Sequence, residues 1–266
     1  MMKKIPIFDI HYQQTVGECS NVFKPLIGDV CQISVDNVEI LSDFDNSKVF
    51  IGKTETDIKL GESDCILDRG VEEILLSMCI EECKKFVLGD GNKACVSGII
   101  KLLDVKKIKF PCTDKDRILE AEHHKKVGND LFKQKRYIDA FHRFNKSIRY
   151  IIFLQNHEKF LSERNLLYSN LCNNMAACQI EFCNYEYAKD LLDKVLHVNS
   201  DNIKALMRRC QVSAELKMFD RTLEDARNLL TKEPNNSIGK KYEILALKEL
   251  EIQNIKYKNM VKKMFC

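Results

Sequence analysis

Residues 121–137 read AEHHKKVGNDLFKQKRY, and their single glycine, Gly128, sets the frame for the second half of the chain. Gly128 aligns with Ala176 and Cys210 as the small residue of three successive units. Twelve positions further on stand Ala140, Ala188 and Thr222, and sixteen positions further on Phe144, Leu192 and Ala226. Small residues recurring at fixed offsets mark stacked helix pairs, because a large side chain at a close helix crossing would hold the two helices apart. Units two and three are 34 residues apart, whereas units one and two are 48 apart. The 14-residue excess is placed at 154–162, between helices. The third unit closes at Pro234, and residues 236–265 are predicted to form a helix capping the array.

The rest of the chain is different in kind. With 266 residues, 45% hydrophobic and 30% charged, the composition is that of a globular chain long enough for two cores. Eight of the ten glycines lie at or before Gly98. Residues 1–115 carry 15 Lys and Arg against 19 Asp and Glu, while the remainder is basic. No aromatic and basic stacking motif accompanies that basic half, so nucleic acid is not expected as a partner, but a groove for an acidic peptide is. No apolar run reaches the length of a membrane span, and the N-terminal residues lack the apolar centre of a secretory leader, so a cytoplasmic or nuclear protein without membrane attachment is expected. Twelve cysteines are dilute at this length and form no Cys-x-x-Cys pair. They are expected to be reduced, mostly buried thiols, with neither a metal site nor a cofactor.

In the first half, 29–38, 49–54 and 56–60 carry β-branched or alternating patterns interrupted by Gly, Asp and Asn, and predict strands. Residues 66–78 (ILDRGVEEILLSM) place Val71, Ile74, Leu75 and Met78 at helical spacing, which predicts a short helix across the sheet. Strands are predicted again at 84–88 and 94–108, joined by a turn at 89–92. The organisation expected is one domain over 1–110, a linker at 111–115 around Pro111, and a helical domain over 116–266.

The helical half resembles the tetratricopeptide-repeat (TPR) fold, with three units and a capping helix. Lys125 and Asn129 lie four apart on one helical face, Lys204 and Arg208 do the same in the third unit, and Asn174 takes the corresponding place in the second. This set resembles the dicarboxylate clamp with which co-chaperone TPR domains hold the acidic C-terminal peptide of heat-shock protein 90 or 70. The resemblance implies that Lys125, Asn129, Asn174, Lys204 and Arg208 bind that peptide, the cations meeting its carboxylates and the amides completing its hydrogen bonds.

The order of strands, helix and strands, together with IKLG at 58–61 and RGVEEILLSM at 69–78, resembles the macrolide-binding immunophilin (FKBP) family. The fold expected is therefore an α+β FKBP-like antiparallel sheet with one short helix, followed by an all-α TPR solenoid. In active members an aromatic-walled pocket stabilises the twisted X-Pro amide. Here the family's pocket positions carry Val71 on the helix, Val35 on a strand and Asp68 before the Arg-Gly, and no aromatic occurs over 87–109. The domain is thus expected to be inactive as a prolyl isomerase, although Phe44 or Phe50 offers rings from elsewhere. No phosphate loop, H-E-x-x-H or G-x-S-x-G motif occurs. His123 and His124 are expected at the surface or in packing, and Glu72 and Glu73 as solvated helix charges. The function expected is a non-catalytic co-chaperone. The alternatives are an active isomerase with the same docking domain, or a TPR scaffold for another partner.

Overall fold

The computed structural model describes residues 10–15, 24–41, 47–89, 94–108, 113–152, 154 and 158–265. The chain divides into two compact units between Thr113 and Asp114. The first holds β1 (Ile10–Thr15), β2 (Val30–Ile40), β3 (Glu55–Lys59), α1 (Ile66–Leu76), β4 (Cys83–Gly89) and β5 (Ala94–Lys106). All five strands are antiparallel in the order β1-β4-β5-β2-β3. Alternate residues Cys31, Ile33 and Val35 of β2 are buried with Phe86 and Leu88 of β4 and Ile100 and Leu102 of β5. Leu67, Val71, Ile74 and Leu75 of α1 close this core. Gly70 lets the helix come close, since a Cβ there would stand 2.9 Å from Leu88 Cδ2.

Two sequence expectations in this half meet the structure differently. Residues 49–54 form bends instead of a strand. Ser47 Oγ accepts hydrogen bonds from the amides of Val49 (3.2 Å) and Phe50 (3.1 Å), so local side-chain bonding overrides the β-branched pattern. Glu72 is buried, and its Oε1 accepts from the amides of Glu62 (3.1 Å) and Ser63 (3.0 Å); it fastens the loop before α1 and is not a solvated charge. Strand β1 has no counterpart in the sequence reading. Of the turn predicted at 89–92, residues 90–92 lie outside the described residues, and Gly89 pairs with Ala94.

The second unit runs α2 (Asp114–Lys133), α3 (Tyr137–Ile152), α4 (Glu158–Glu181), α5 (Tyr185–Val198), α6 (Ile203–Glu215), α7 (Phe219–Lys232) and α8 (Ser237–Phe265). It is a TPR solenoid of three helix pairs, with α8 as the cap. The aligned positions Gly128, Ala176, Cys210, Ala140, Ala188, Thr222, Phe144, Leu192 and Ala226 are all buried. The turn inside each pair adopts a left-handed backbone at Lys135 (φ 63°), Cys183 (φ 57°) and Lys217 (φ 59°), seven residues after each small residue. The extra residues of unit one do not all lie between helices, because α4 already begins at Glu158. The stretch contains no Gly or Pro to stop the helix from extending backwards. The nine described cysteines are free thiols, seven of them buried.

The first crossing has no space for a side chain at Gly128. A Cβ on Gly128 would lie 2.6 Å from Phe144 Cε1 and 2.8 Å from its Cδ1, and the Phe144 ring is fully buried. Gly128→Ala gains about 1 kcal/mol of helix propensity but overpacks by about 1–3 kcal/mol, so a net loss of up to about 2 kcal/mol is expected in urea unfolding followed by circular dichroism. In a Phe144→Leu background the same change should be neutral or stabilising, because the obstructing ring is gone.

Candidate functional site

The first helices of the three pairs, α2, α4 and α6, bring together part of the polar set picked out by spacing. Asn174 Nδ2 on α4 donates to Asn129 Oδ1 on α2 at 2.9 Å. Arg208 on α6 meets α4 through a residue the sequence reading did not single out: its Nη1 donates to the main-chain oxygen of Asn173 at 2.8 Å and to Asn173 Oδ1 at 2.6 Å. The neighbouring residues Asn173 and Asn174 therefore reach opposite neighbours, as their roughly 100° separation around a helix allows. Lys125 is half-buried one turn before Asn129, and Lys204 is exposed one turn before Arg208. Among the described residues neither lysine has a hydrogen-bond or ion-pair partner. Asn202 caps α6, its Oδ1 accepting from the Ala205 amide at 3.1 Å, which sets the start of the helix that carries Lys204 and Arg208.

Burial lowers the Arg208 guanidinium from its ordinary value, yet an arginine stays charged at any physiological pH. The acceptors that its Nη1 meets are the main-chain and side-chain amide oxygens of Asn173, which do not neutralise it. Three helices thus offer three cations and two amides with no carboxylate pairing the cations among the described residues. Such a set is suited to receive an anion.

In the sheet unit the positions that the sequence resemblance assigns to a pocket are buried. Val71 is fully buried and Val35 nearly so. Asp68 is 2% exposed, and its carboxylate accepts from Ser47 Oγ at 2.5 Å and from the Lys48 amide at 2.7 Å. Those two bonds hold the segment that carries Phe50, whose buried ring lies 5.8 Å from that of Phe86 in the core. Phe44 lies outside the described residues. In the helical unit His123 is exposed, whereas His124 is buried, stacked 5.4 Å from Tyr150, with its Nδ1 3.0 Å from Arg143 Nη1. It is a packing histidine.

No family model matches the chain. Over 228 residues, 79% of the chain, it is 26% identical to FK506-binding protein 59 of Drosophila melanogaster, covering 51% of that protein. Over 149 residues it is 31% identical to peptidyl-prolyl cis-trans isomerase FKBP42 of Arabidopsis thaliana, covering 54% of the chain and 40% of the relative. The chain therefore spans about half, or less, of the length of these curated relatives. Among solved structures, the C-terminal TPR-containing domain of a Plasmodium falciparum protein assigned to the FK506-binding proteins superposes with a TM-score of 0.50 at 21% identity. That match covers 53% of the chain and 95% of the solved domain, a likeness of fold.

The adjacent arginines of α6 do different work. Arg208 turns to α4, whereas Arg209 turns away to α5 and α7: its Nη1 meets Asp193 Oδ1 at 2.8 Å, its Nη2 meets Asp225 Oδ1 at 2.6 Å, and its Nε meets Asp225 Oδ2 at 2.8 Å. Burial alone would lower the Arg209 guanidinium, but hydrogen bonds and charge from Asp225 and Asp193 overcome it and leave it raised. Burial pushes the Asp225 carboxyl up, against the pull of Arg209. Arg209→Ala leaves Asp225 buried and unpaired, and a loss of about 3–5 kcal/mol is expected in denaturant unfolding. With the cation gone, the folded-state carboxyl sits still further above its unfolded value. Folding then takes up a proton, so the variant should lose stability as pH rises from about 4 through the raised folded value, and its deficit should be smaller at pH 5 than at pH 8. Arg208→Ala, by contrast, should unfold near the unmodified chain.

Proposed function

We propose that the helical unit docks on the acidic C-terminal peptide of heat-shock protein 90 or 70 through Lys125, Asn129, Asn174, Lys204 and Arg208, and that the chain acts as a non-catalytic co-chaperone adaptor. The observation that carries this reading is the row of first helices joined side chain to side chain, Asn129 to Asn174 and Asn173 to Arg208, with the cations around it free of carboxylates. A peptide ending in Asp brings two carboxylates on one residue. Three cations and two amides match them without leaving a buried charge unpaired. The likeness to FK506-binding proteins supports the same reading, since the sequence resemblance extends across both halves of the chain. The closing stretch 261–265, VKKMF, resembles that of FKBP-like protein, a short divergent immunophilin, and the proposal includes kinship with it.

Removing Arg208 takes away charge-assisted hydrogen bonds worth about 1.5–3 kcal/mol each, so Arg208→Ala should weaken binding of a Glu-Glu-Val-Asp peptide by roughly one to two decades. Lys204 is exposed and better screened, and Lys204→Ala should cost about one decade. Amidating the peptide terminus should weaken binding comparably. If isothermal titration of folded Arg208→Ala gives the affinity of the unmodified chain, the TPR unit recognises something else.

We further infer that the sheet unit does not accelerate X-Pro isomerisation. The support is Asp68: a buried carboxyl group bonded to Ser47 and Lys48 stands where the resemblance implies an apolar pocket residue, and Val71 supplies no aromatic floor. The isomerase named among the relatives marks the competing reading. A proline-peptide assay of the purified chain should match the uncatalysed rate at every protein concentration. A rate rising linearly with protein, and abolished by a macrolide ligand, would establish the enzyme instead.

A further inference from the structure

Resting on the carboxylate-groove reading, we propose that Asn173 is a positioning residue that fixes which edge of Arg208 faces the ligand, and so makes the groove selective for a terminal Asp over a terminal Glu. A guanidinium has five N–H donors and can hold a carboxylate two ways, end-on through both Nη atoms or side-on through Nε and Nη2. Arg208 Nη1 has two hydrogens and two acceptors, both from Asn173: the main-chain oxygen at 2.8 Å and Oδ1 at 2.6 Å. The end-on arrangement is thereby spent inside the protein. The side-on edge remains, and among the described residues nothing bonds to it.

Asn173 is itself 4% exposed, so its amide is packed in place and cannot follow a moving arginine. The clamp pattern used in the sequence reading assigns no role to this position. A leucine or serine there would leave Arg208 only the backbone oxygen, and its long side chain would lose rotamer freedom on binding. Holding it in advance removes that cost. A held donor also discriminates by length, because Glu puts its carboxylate about one methylene beyond that of Asp, and displacements of about 1 Å degrade a bidentate contact severely.

The experiment uses the full chain and two free-acid peptides, one ending Glu-Glu-Val-Asp and the other Glu-Glu-Val-Glu. Without peptide, NMR should find slow rotation about the Arg208 Nε–Cζ bond in the unmodified chain and faster rotation in Asn173→Ala. Asn173→Ala should bind the Asp peptide about two- to tenfold more weakly. The preference for Asp over Glu, about tenfold in the unmodified chain, should shrink towards unity. Asn173→Asp should keep the rotation slow while weakening both peptides, because its charge competes with theirs for the same cation. A role in packing alone would not separate those two readouts. Adding Asn173→Ala to Arg208→Ala should cost no further affinity.

Fast rotation in the unmodified chain overturns the proposal even if Asn173→Ala fails to fold. So does an unchanged Asp-to-Glu ratio in Asn173→Ala, or a loss of affinity that persists in the Arg208→Ala background. If the unmodified chain binds neither peptide, or Arg208→Ala binds both as well as it does, the groove reading itself falls and the positioning role falls with it. Slow rotation together with peptide binding that depends on Arg208 but not on Asn173 overturns the positioning role alone.

Discussion

Close approach of paired helices is the constraint from which the helical unit follows. Where α2 crosses α3 there is no room for even one methyl group beside the Phe144 ring, and Ala176 and Cys210 repeat the economy at the later crossings. Helices held this near cannot slide without losing van der Waals contact along their whole length, because protein interiors are packed like organic crystals. The stacking of α2, α4 and α6 is thereby set closely enough for amides on neighbouring helices to meet at 2.9 Å. The chemistry of the groove depends on apolar contacts behind it.

The sheet unit reaches definition by another route, using buried carboxylates as fasteners for loops. Asp68 takes Ser47 and Lys48, Glu72 takes Glu62 and Ser63, and Asp29 takes the amide of Leu26 at 2.9 Å. Each acidic group takes at least one main-chain donor, and hydrogen bonding of this kind makes a buried carboxylate tolerable. Loops tied down in this way retain the FKBP-like framework while spending their acceptors on the protein itself.

The repeat register was legible because small residues at a fixed period have one physical cause, and the strands of β2, β3, β4 and β5 were legible from alternation. What was not legible came from side chains acting on the backbone or on unexpected neighbours. Ser47 bends a stretch that reads as a strand, and Glu72 looks like any charge on an amphipathic helix until the amides of 62 and 63 arrive. Strand β1 pairs only with β4, at the edge of the sheet, where a strand needs only one set of partners and shows a weaker pattern. In the groove, helical spacing placed Lys125 with Asn129 and Lys204 with Arg208 but said nothing of Asn173. A pattern of i and i+4 assigns residues to a face, and two consecutive asparagines or arginines straddle two faces at once. The Asn173-Asn174 and Arg208-Arg209 pairs were visible in the sequence, but their division of labour depends on which helix lies to either side.

Arg209 spans more than one repeat. Asp193 belongs to the second helix pair and Asp225 to the third, so a single guanidinium rivets adjacent modules of an otherwise modular array, and Arg221 adds a second tie to Asp193. In a linear solenoid, cooperativity is the strength of coupling between nearest neighbours, and a terminal module weakly coupled to the rest frays on its own. Here the third pair cannot detach without parting Asp193 from both Arg209 and Arg221. Its loss is tied to that of the second pair, so the parts of the polar row carried by α4 and α6 share one lifetime and open as a whole.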